Sequence, residues 1–424
     1  MNTSELAING GNAVRTSPWP TWPVATKHTM TNLEAVMSSG RWAISGCYTG
    51  ARGYEQRFCQ AFADYQGSSY AVATTNGSAA IKIALMAVGV GPGTEVIVPG
   101  LTWVACAAMV FELGAVPVLV DIDPHSLSIS VQAAESALSD KTVAVLVVHA
   151  YCSAADMDGF VELANRAGIA LVEDCSQAHG AEWRGQKLGS LGQFGVFSLQ
   201  QTKVLTCGEG GVVTCSAADA YRRLQQHRAN GRIYTTHPLA GQLELIDVGE
   251  VYGTNHAMSE IHAAIALAQL ELLDEQNTVR EANALYLTHA LEKIPGVNTI
   301  IPPAGLTRRT YYDYVIQLNA DITGPFLIHR VVEAMAAELG TFIETLDAPM
   351  NANILYNPLL AKTVNTQELI RQLEPKRFNL PFAHQAYNCS FAFLHHLLLG
   401  TTKDMDDIIN AMLKVLRCMD KLRG

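Results

Sequence analysis

Five short apolar runs separated by helix-patterned stretches constrain this chain more than any other feature. They are Tyr70-Ala71-Val72-Ala73-Thr74, Glu95-Val96-Ile97-Val98-Pro99, Pro117-Val118-Leu119-Val120-Asp121, Ala144-Val145-Leu146-Val147-Val148 and Ile169-Ala170-Leu171-Val172-Glu173-Asp174. Apolar strands alternating with helices predict an open, mostly parallel α/β sheet, with functional residues gathered at the carboxyl ends of the strands. Helical spacing appears over 54–65, from about residue 79 to 88, after Trp103, from about residue 154, and over 217–228.

The 424 residues, 49% of them hydrophobic, suffice for two domains and a sizeable core. The pattern predicts an N-terminal arm over 1–30, a large domain over 31–278 and a smaller C-terminal α/β domain over 279–424. Gly10, Gly11, Pro18, Pro20 and Pro23 argue against a helical arm, and Trp19 and Trp22 require it to pack on the body or on a second subunit. A helix is expected to start at Thr31, with 41–50 as a loop and 228–236 as another. A long amphipathic helix over 259–276 is expected to close the large domain. The remainder reads as a helix over 281–294, a strand over 312–318 and helices over 329–339 and 405–419.

A net charge of -10 without a polybasic run excludes the electrostatic footprint of a nucleic-acid or anionic-membrane binder, leaving small molecules as partners. The nine cysteines are scattered and include no Cys-x-x-Cys pair, so reduced thiols in a cytoplasm are expected and a metal site is not. No leader or membrane-spanning segment is expected: the apolar stretch over 104–120 is broken by Glu112 and Pro117.

Four positions fall on one edge of the predicted sheet. Gly77-Ser78 follows a strand and opens a helix, where free N–H groups and a hydroxyl suit a phosphate. Trp103 follows the second strand and Asp174 ends the fifth. Lys203 sits on the connection between strand-like 195–198 and 211–214, in a stretch where Glu209 is the only carboxylate. A lysine in such a setting has a lowered proton affinity and can attack a carbonyl carbon. Singly, each has a structural reading: Asn76 or Ser78 as a helix cap, Asp174 as a turn residue, Lys203 as a solvated charge. Jointly they match a phosphorylated aromatic aldehyde that forms an imine, namely pyridoxal phosphate. A Rossmann-type oxidoreductase is disfavoured, because no Gly-x-Gly-x-x-Gly follows the early strands.

Several ordered stretches also resemble a known family. Thr74-Thr75-Asn76-Gly77-Ser78-Ala79-Ala80, Val98-Pro99-Gly100-Leu101-Thr102-Trp103, Ala154-Ala155-Asp156-Met157-Asp158, 172–180 and the Lys203 segment are similar to the DegT/DnrJ/StrS sugar aminotransferases, a fold-type-I (aspartate-aminotransferase-like) group. The resemblance implies Gly77, Ser78 and Ser198 on the cofactor phosphate, Trp103 on its ring, Asp174 at the pyridine nitrogen, Gln177 near the phenolic oxygen and Lys203 as the Schiff-base lysine. Asn255 would reach the phosphate of a neighbouring subunit, implying a homodimer with shared active sites. Arg41-Trp42-Ala43-Ile44-Ser45-Gly46, 200–206, Tyr311-Tyr312 and His395-His396 look like the branch that aminates ketocyclitols such as scyllo-inosose with L-glutamine as donor, in aminoglycoside-type antibiotic biosynthesis. Thr202, Ala257 and Cys152-Ser153 depart from family patterns. Ala257 replaces an arginine suited to nucleotide sugars, which agrees with a neutral ring. Arg41, His149, Tyr311, His395 and His396 are candidates for substrate hydroxyls and the donor carboxylate. For the histidines a core role is the competing reading. A valienone-like ketone, a keto nucleotide sugar, and a non-catalytic pyridoxal phosphate binder are the rival functions.

Overall fold

The computed structural model describes residues 5–323 and 325–422, with side chains at 325 and 326 excepted. The arm's first four residues lie outside this range. Seven strands form the main sheet: β1 (Tyr70–Thr74), β2 (Glu95–Pro99), β3 (Val116–Val120), β4 (Thr142–Val148), β5 (Ala170–Asp174), β6 (Phe194–Ser198) and β7 (Gly211–Cys215). Their order is β1-β7-β6-β5-β4-β2-β3, parallel from β6 through β3, with β7 antiparallel to both neighbours. The chain is thus an α/β protein of the expected fold class. The strands read as continuous apolar runs because helices cover both faces. On one face lie α3 (Gly77–Ala87) and α4 (Ala105–Glu112), with Ile81, Ile83, Cys106 and Val110 buried. On the other lie α2 (Tyr54–Gln66) and the helix Met157–Ala167, with Phe58, Phe62, Phe160 and Leu163 buried.

Parallel strands point their carboxyl ends the same way, and the register aligns the site. Val148 pairs with Asp174, Asp174 with Val196, Ser198 with Gly211, and Gly211 with Thr74. The ends of β1, β5 and β6 and the start of β7 therefore form one edge.

A second sheet has β8 (Val297–Thr299), β9 (Asp313–Leu318), β10 (Glu344–Thr345) and β11 (Ser390–Leu394) in the order β8-β9-β11-β10, all antiparallel. Helices Pro325–Leu339 and Thr402–Arg417 pack beside it, and their core side chains join the cluster that also holds Val98 and Ile83.

Among the element boundaries that differ from expectation, three have clear causes in the structure. The first helix, α1, spans Lys27–Ser39, because Thr26 and Thr29 form a reciprocal capping box before Thr31 is reached. The helix expected over 259–276 is two, Glu260–Leu270 and Leu273–Leu291, the second running unbroken through the expected domain boundary at 278. Asn277 and Arg280 interrupt the apolar pattern yet are buried: Asn277 donates to the His179 carbonyl at 2.9 Å and Arg280 to Asn277 at 3.0 Å. Within the loop expected over 228–236, Arg232–Tyr234 pairs with Leu245–Asp247 as a two-stranded ribbon.

The arm lies on the body. Leu6 is buried, Trp19 donates to the Leu339 carbonyl at 2.8 Å, and Trp22 donates to the Gln201 carbonyl at 3.0 Å. Trp22 thereby touches the segment that carries Lys203.

Candidate active site

A cavity of about 690 Å³ opens over the sheet edge and is lined by Gly77, Ser78, Trp103, Asp174, Gln177, Ser198 and Lys203, all expected from sequence to meet at one site. The cavity's corner is the start of α3. Asn76 caps the helix by accepting the Ala79 N–H at 2.8 Å, which leaves the first-turn N–H groups of Gly77 and Ser78 directed outward. Gly77 lies so close to Ser198 that an added Cβ would sit 2.7 Å from the Ser198 Cβ. Only glycine lets the end of β6 bring its hydroxyl to this helix terminus. Backbone donors, the positive helix end and hydroxyls of Ser78 and Ser198 suit a phosphate monoester.

Asp174 is 4% exposed and ends β5. Its Oδ1 accepts the Ser176 N–H at 2.9 Å and its Oδ2 accepts the Cys106 thiol at 3.4 Å, which fixes the carboxylate at the cavity edge. Gln177 accepts the Tyr151 N–H through Oε1 at 3.0 Å. Trp103 is 55% exposed and faces the opening, where an apolar ring can be covered.

Lys203 is half-buried on the turn between β6 and β7, its Nζ 3.8 Å from the centre of the Tyr312 ring. Burial holds the amine below the usual lysine range, against the opposing pull of Asp174, Asp313, Asp347 and Glu344. A lowered proton affinity raises the neutral, nucleophilic fraction. The lysine turn is held from behind. Thr202 shares a hydrogen bond with the Tyr312 hydroxyl at 3.0 Å and donates to Gln200 Oε1 at 2.8 Å. His395 Nε2 donates to the Thr202 carbonyl at 2.9 Å, while its Nδ1 accepts from Arg280 at 3.2 Å. Burial, with Arg280 adding to it, pushes His395 well below the ordinary histidine range.

The structure does not bring the five expected substrate residues to the cavity wall. Arg41 is buried and ion-paired with Glu244 and Glu260, two carboxylates that meet the cost of its burial. His149 is fully buried between the Ala155 N–H and Glu173, whose carboxylate also accepts the N–H groups of Gly189, Leu191 and Gly192. Cys175 completes a His149-Glu173-Cys175 group, but these backbone bonds occupy the carboxylate. Tyr311 is buried under Arg309 and against Tyr314, and its neighbour Tyr312 faces the cavity instead. His395 stands behind Thr202, with His396 edge-on to it. Asn255 is exposed, its Oδ1 on the Ala257 N–H at 3.2 Å, and does not line this chain's cavity.

Residues not proposed as site residues from sequence also line the cavity, among them Tyr151, Tyr312, Asp313, Glu344 and Asp347. The available signal was an aspartate opening a mostly apolar strand at 313.

The arrangement offers an anion-binding helix terminus, a fixed carboxylate, a ring-covering indole and an amine of lowered basicity around one cavity. A model of the DegT/DnrJ/EryC1/StrS aminotransferase family matches residues 23–413. The L-glutamine:2-deoxy-scyllo-inosose aminotransferase of Streptoalloteichus tenebrarius is 44% identical over 421 residues, 99% of each chain. The L-glutamine:scyllo-inosose aminotransferase of Streptomyces griseus is 42% identical over 415 residues, 97% of this chain and 98% of that one. Among solved structures, 3-amino-5-hydroxybenzoic acid synthase matches with a TM-score of 0.79 at 26% identity, covering 94% of this chain and 100% of its own.

Proposed function

The chain belongs to the DegT/DnrJ/EryC1/StrS aminotransferase family, and from that premise we propose that it moves the amino group of L-glutamine to the keto carbon of a ketocyclitol such as scyllo-inosose, with pyridoxal phosphate as cofactor. The observation that carries this reading is one cavity shared by the α3 terminus, Asp174 and the Lys203 amine. Full-length relatives named for glutamine and inosose ketones support the substrate class.

The residues present fit the cofactor. The cradle between Gly77 and Ser198 would be filled by any Cβ at position 77, and its donors match a phosphate. When bound, pyridoxal phosphate supplies an aldehyde that condenses with amines and a ring that holds the electron pair of a breaking C–H bond. The Gly77 and Ser78 N–H groups and the Ser78 and Ser198 hydroxyls would hold its phosphate. Asp174 would keep a proton on the ring nitrogen, Gln177 would serve the phenolic oxygen, and Trp103 would cover the ring face. Lys203, as a neutral amine, would take the proton from the donor Cα and later deliver one to the carbon that bears the new amine. Thr202, Tyr312 and His395 keep the lysine turn in place.

Asn255 serves the phosphate of a second copy, so the working unit is a homodimer with shared sites. No helix among the described residues is long and apolar enough to cross a membrane. No disulfide joins cysteines among the described residues, which suits a reducing cytoplasm. The test is the absorbance change of the reconstituted enzyme on adding glutamine, followed by a panel of ketones. Glutamine converts the cofactor to its amine form, and a ketocyclitol returns it. Return only by a keto nucleotide sugar or a valienone-like ketone replaces the substrate, and no change with glutamine identifies a non-catalytic binder. Lys203→Ala stays folded and loses at least a thousandfold in turnover, and retained turnover overturns the mechanism.

A further inference from the structure

The four-stranded sheet sends three carboxylates to the cavity. Across β11, Asp313 pairs with Leu394 and Glu344 with Ala392. Positions 392 and 394 differ by two, so Asp313, Ala392 and Glu344 share one face of the sheet. Ala392 is small, which leaves open the space between the two acids, and all three residues line the cavity. Asp347, just past the end of β10, joins them there, its Oδ2 accepting the Tyr151 hydroxyl at 2.9 Å. Asp313 is only 5% exposed, and its Oδ1 has no hydrogen-bond partner among the described residues.

A buried acceptor without a donor is costly, and the Asp313 carboxylate, which lines the cavity, can find a donor in what binds there. Carboxylates accept hydrogen bonds and, when ionised, donate none. The matching ligand is rich in hydroxyls, and adjacent ring hydroxyls can each give a proton to one of these oxygens. Lys203 lines the same cavity and draws all three acids toward their ionised forms, so three carboxylates share it with one amine. Where these acids are ionised, a carboxylate on a ring brought beside them meets like charge.

We propose that Asp313, Glu344 and Asp347 determine acceptor specificity: they take the ring hydroxyls of an uncharged polyol and turn away rings that carry an anionic group among those hydroxyls. This rests on the transaminase reading above.

The test uses the holoenzyme and two six-membered polyols without a ketone, scyllo-inositol and quinate, which differ in a carboxylate. Binding is measured by calorimetry, so turnover does not enter. Wild-type enzyme binds scyllo-inositol at least tenfold more tightly than quinate. Asp313→Asn/Glu344→Gln/Asp347→Asn lowers scyllo-inositol affinity at least tenfold and brings quinate to equal or better binding. The single variants Glu344→Gln and Asp347→Asn, at half-buried side chains, shift the ratio in the same direction by several-fold and carry the test should the triple variant fail to fold. An unchanged ratio in the folded variants overturns the proposal, as does wild-type binding of both polyols equally or of neither. Were the acids only counter-charges for Lys203, the pH midpoint of the cofactor absorbance would move and the ratio would not, which also overturns it. Glutamine is added to wild-type enzyme in parallel. Amine-form conversion with an unchanged ratio defeats the acidic wall alone, and absent conversion defeats the transaminase reading.

Discussion

Gly77→Ala tests the phosphate corner directly. The new Cβ would lie 2.7 Å from the Ser198 Cβ, 3.1 Å from its Oγ and 3.2 Å from its Cα. Carbon atoms rest at about 3.5–4.0 Å, so α3 and β6 must part by roughly 1 Å. The Ser198 Cβ cannot swing aside, because β6 is paired on one side with β5 and on the other with β7. Overpacking of this kind costs about 1–3 kcal/mol, offset by up to about 1 kcal/mol from alanine's better helix propensity. Net destabilisation of about 1–2 kcal/mol is expected. The larger effect falls on the ligand. Hydrogen bonds to a charged group are worth about 1.5–3 kcal/mol, so displacing the Ser198 hydroxyl weakens pyridoxal phosphate binding about tenfold to a hundredfold. The assay titrates apoenzyme with pyridoxal phosphate and, separately, with pyridoxal, which lacks the phosphate, and follows urea unfolding of each variant. Pyridoxal affinity should change little. Adding Ser198→Gly to Gly77→Ala removes the clashing atom, so the double variant regains part of the lost stability without regaining phosphate affinity. Equal weakening toward both aldehydes, or no weakening at all, refutes the assignment of this corner to phosphate.

Three further outcomes follow from buried ionisable groups. Burial, with Glu344 and Asp347 adding to it and Lys203 opposing, pushes the Asp313 carboxyl up to about 7. A raised carboxyl pKa gives stability that is present below about pH 4 and lost as pH rises through 7, about 4 kcal/mol over that window. Asp313→Asn should abolish this loss, and urea midpoints at pH 5 and pH 8 that fall equally in both proteins contradict it. Burial, with Lys203 adding to it, pushes the His179 imidazole down to about 3. Stability therefore falls as pH drops from about 6.5 toward 3, by about 1.4 kcal/mol per unit. His179→Asn should lower the acid-unfolding midpoint, and an unmoved midpoint counts against neutral burial of this ring. Glu173→Ala strands the N–H groups of Gly189, Leu191 and Gly192, which now donate at 2.8, 2.8 and 2.6 Å. At about 1–3 kcal/mol for each unsatisfied group, the loss should exceed about 3 kcal/mol in urea unfolding. A loss under 1 kcal/mol means the 187–193 turn is held by something else.

Local features were readable wherever local residues decide them. The strands at Tyr70–Thr74 and Glu95–Pro99 end where the apolar runs end, and Asp174 and Lys203 stand at a strand terminus and on a Gly-rich turn. Features decided by distant partners were not. Asn277 and Arg280 look like a helix break until His179 and His395 supply their partners. Tyr311 and Tyr312 both precede β9, where strand alternation does not yet apply, and the sequence around them carries no sign that Tyr312 rather than Tyr311 lines the cavity. The acidic wall was hidden for the same reason, since three segments meet only through β11.

Lys203 shows how these two kinds of information combine. Around it in sequence, Glu209 is the only carboxylate, and a poverty of charge was the reason to expect a weakly basic amine. In the fold four other carboxylates act on it, each favouring the protonated form, and still the proton affinity is lowered because burial outweighs them. The neutral amine therefore owes its existence to enclosure by the cavity rather than to the composition of its turn. Opening the enclosure with Tyr312→Ala, which removes the ring 3.8 Å from Nζ, should raise the pH needed to deprotonate Lys203 toward that of an ordinary lysine. An unaltered pH profile for labelling of Lys203 by an amine-reactive reagent would show that the neighbours, and not the burial, set its basicity.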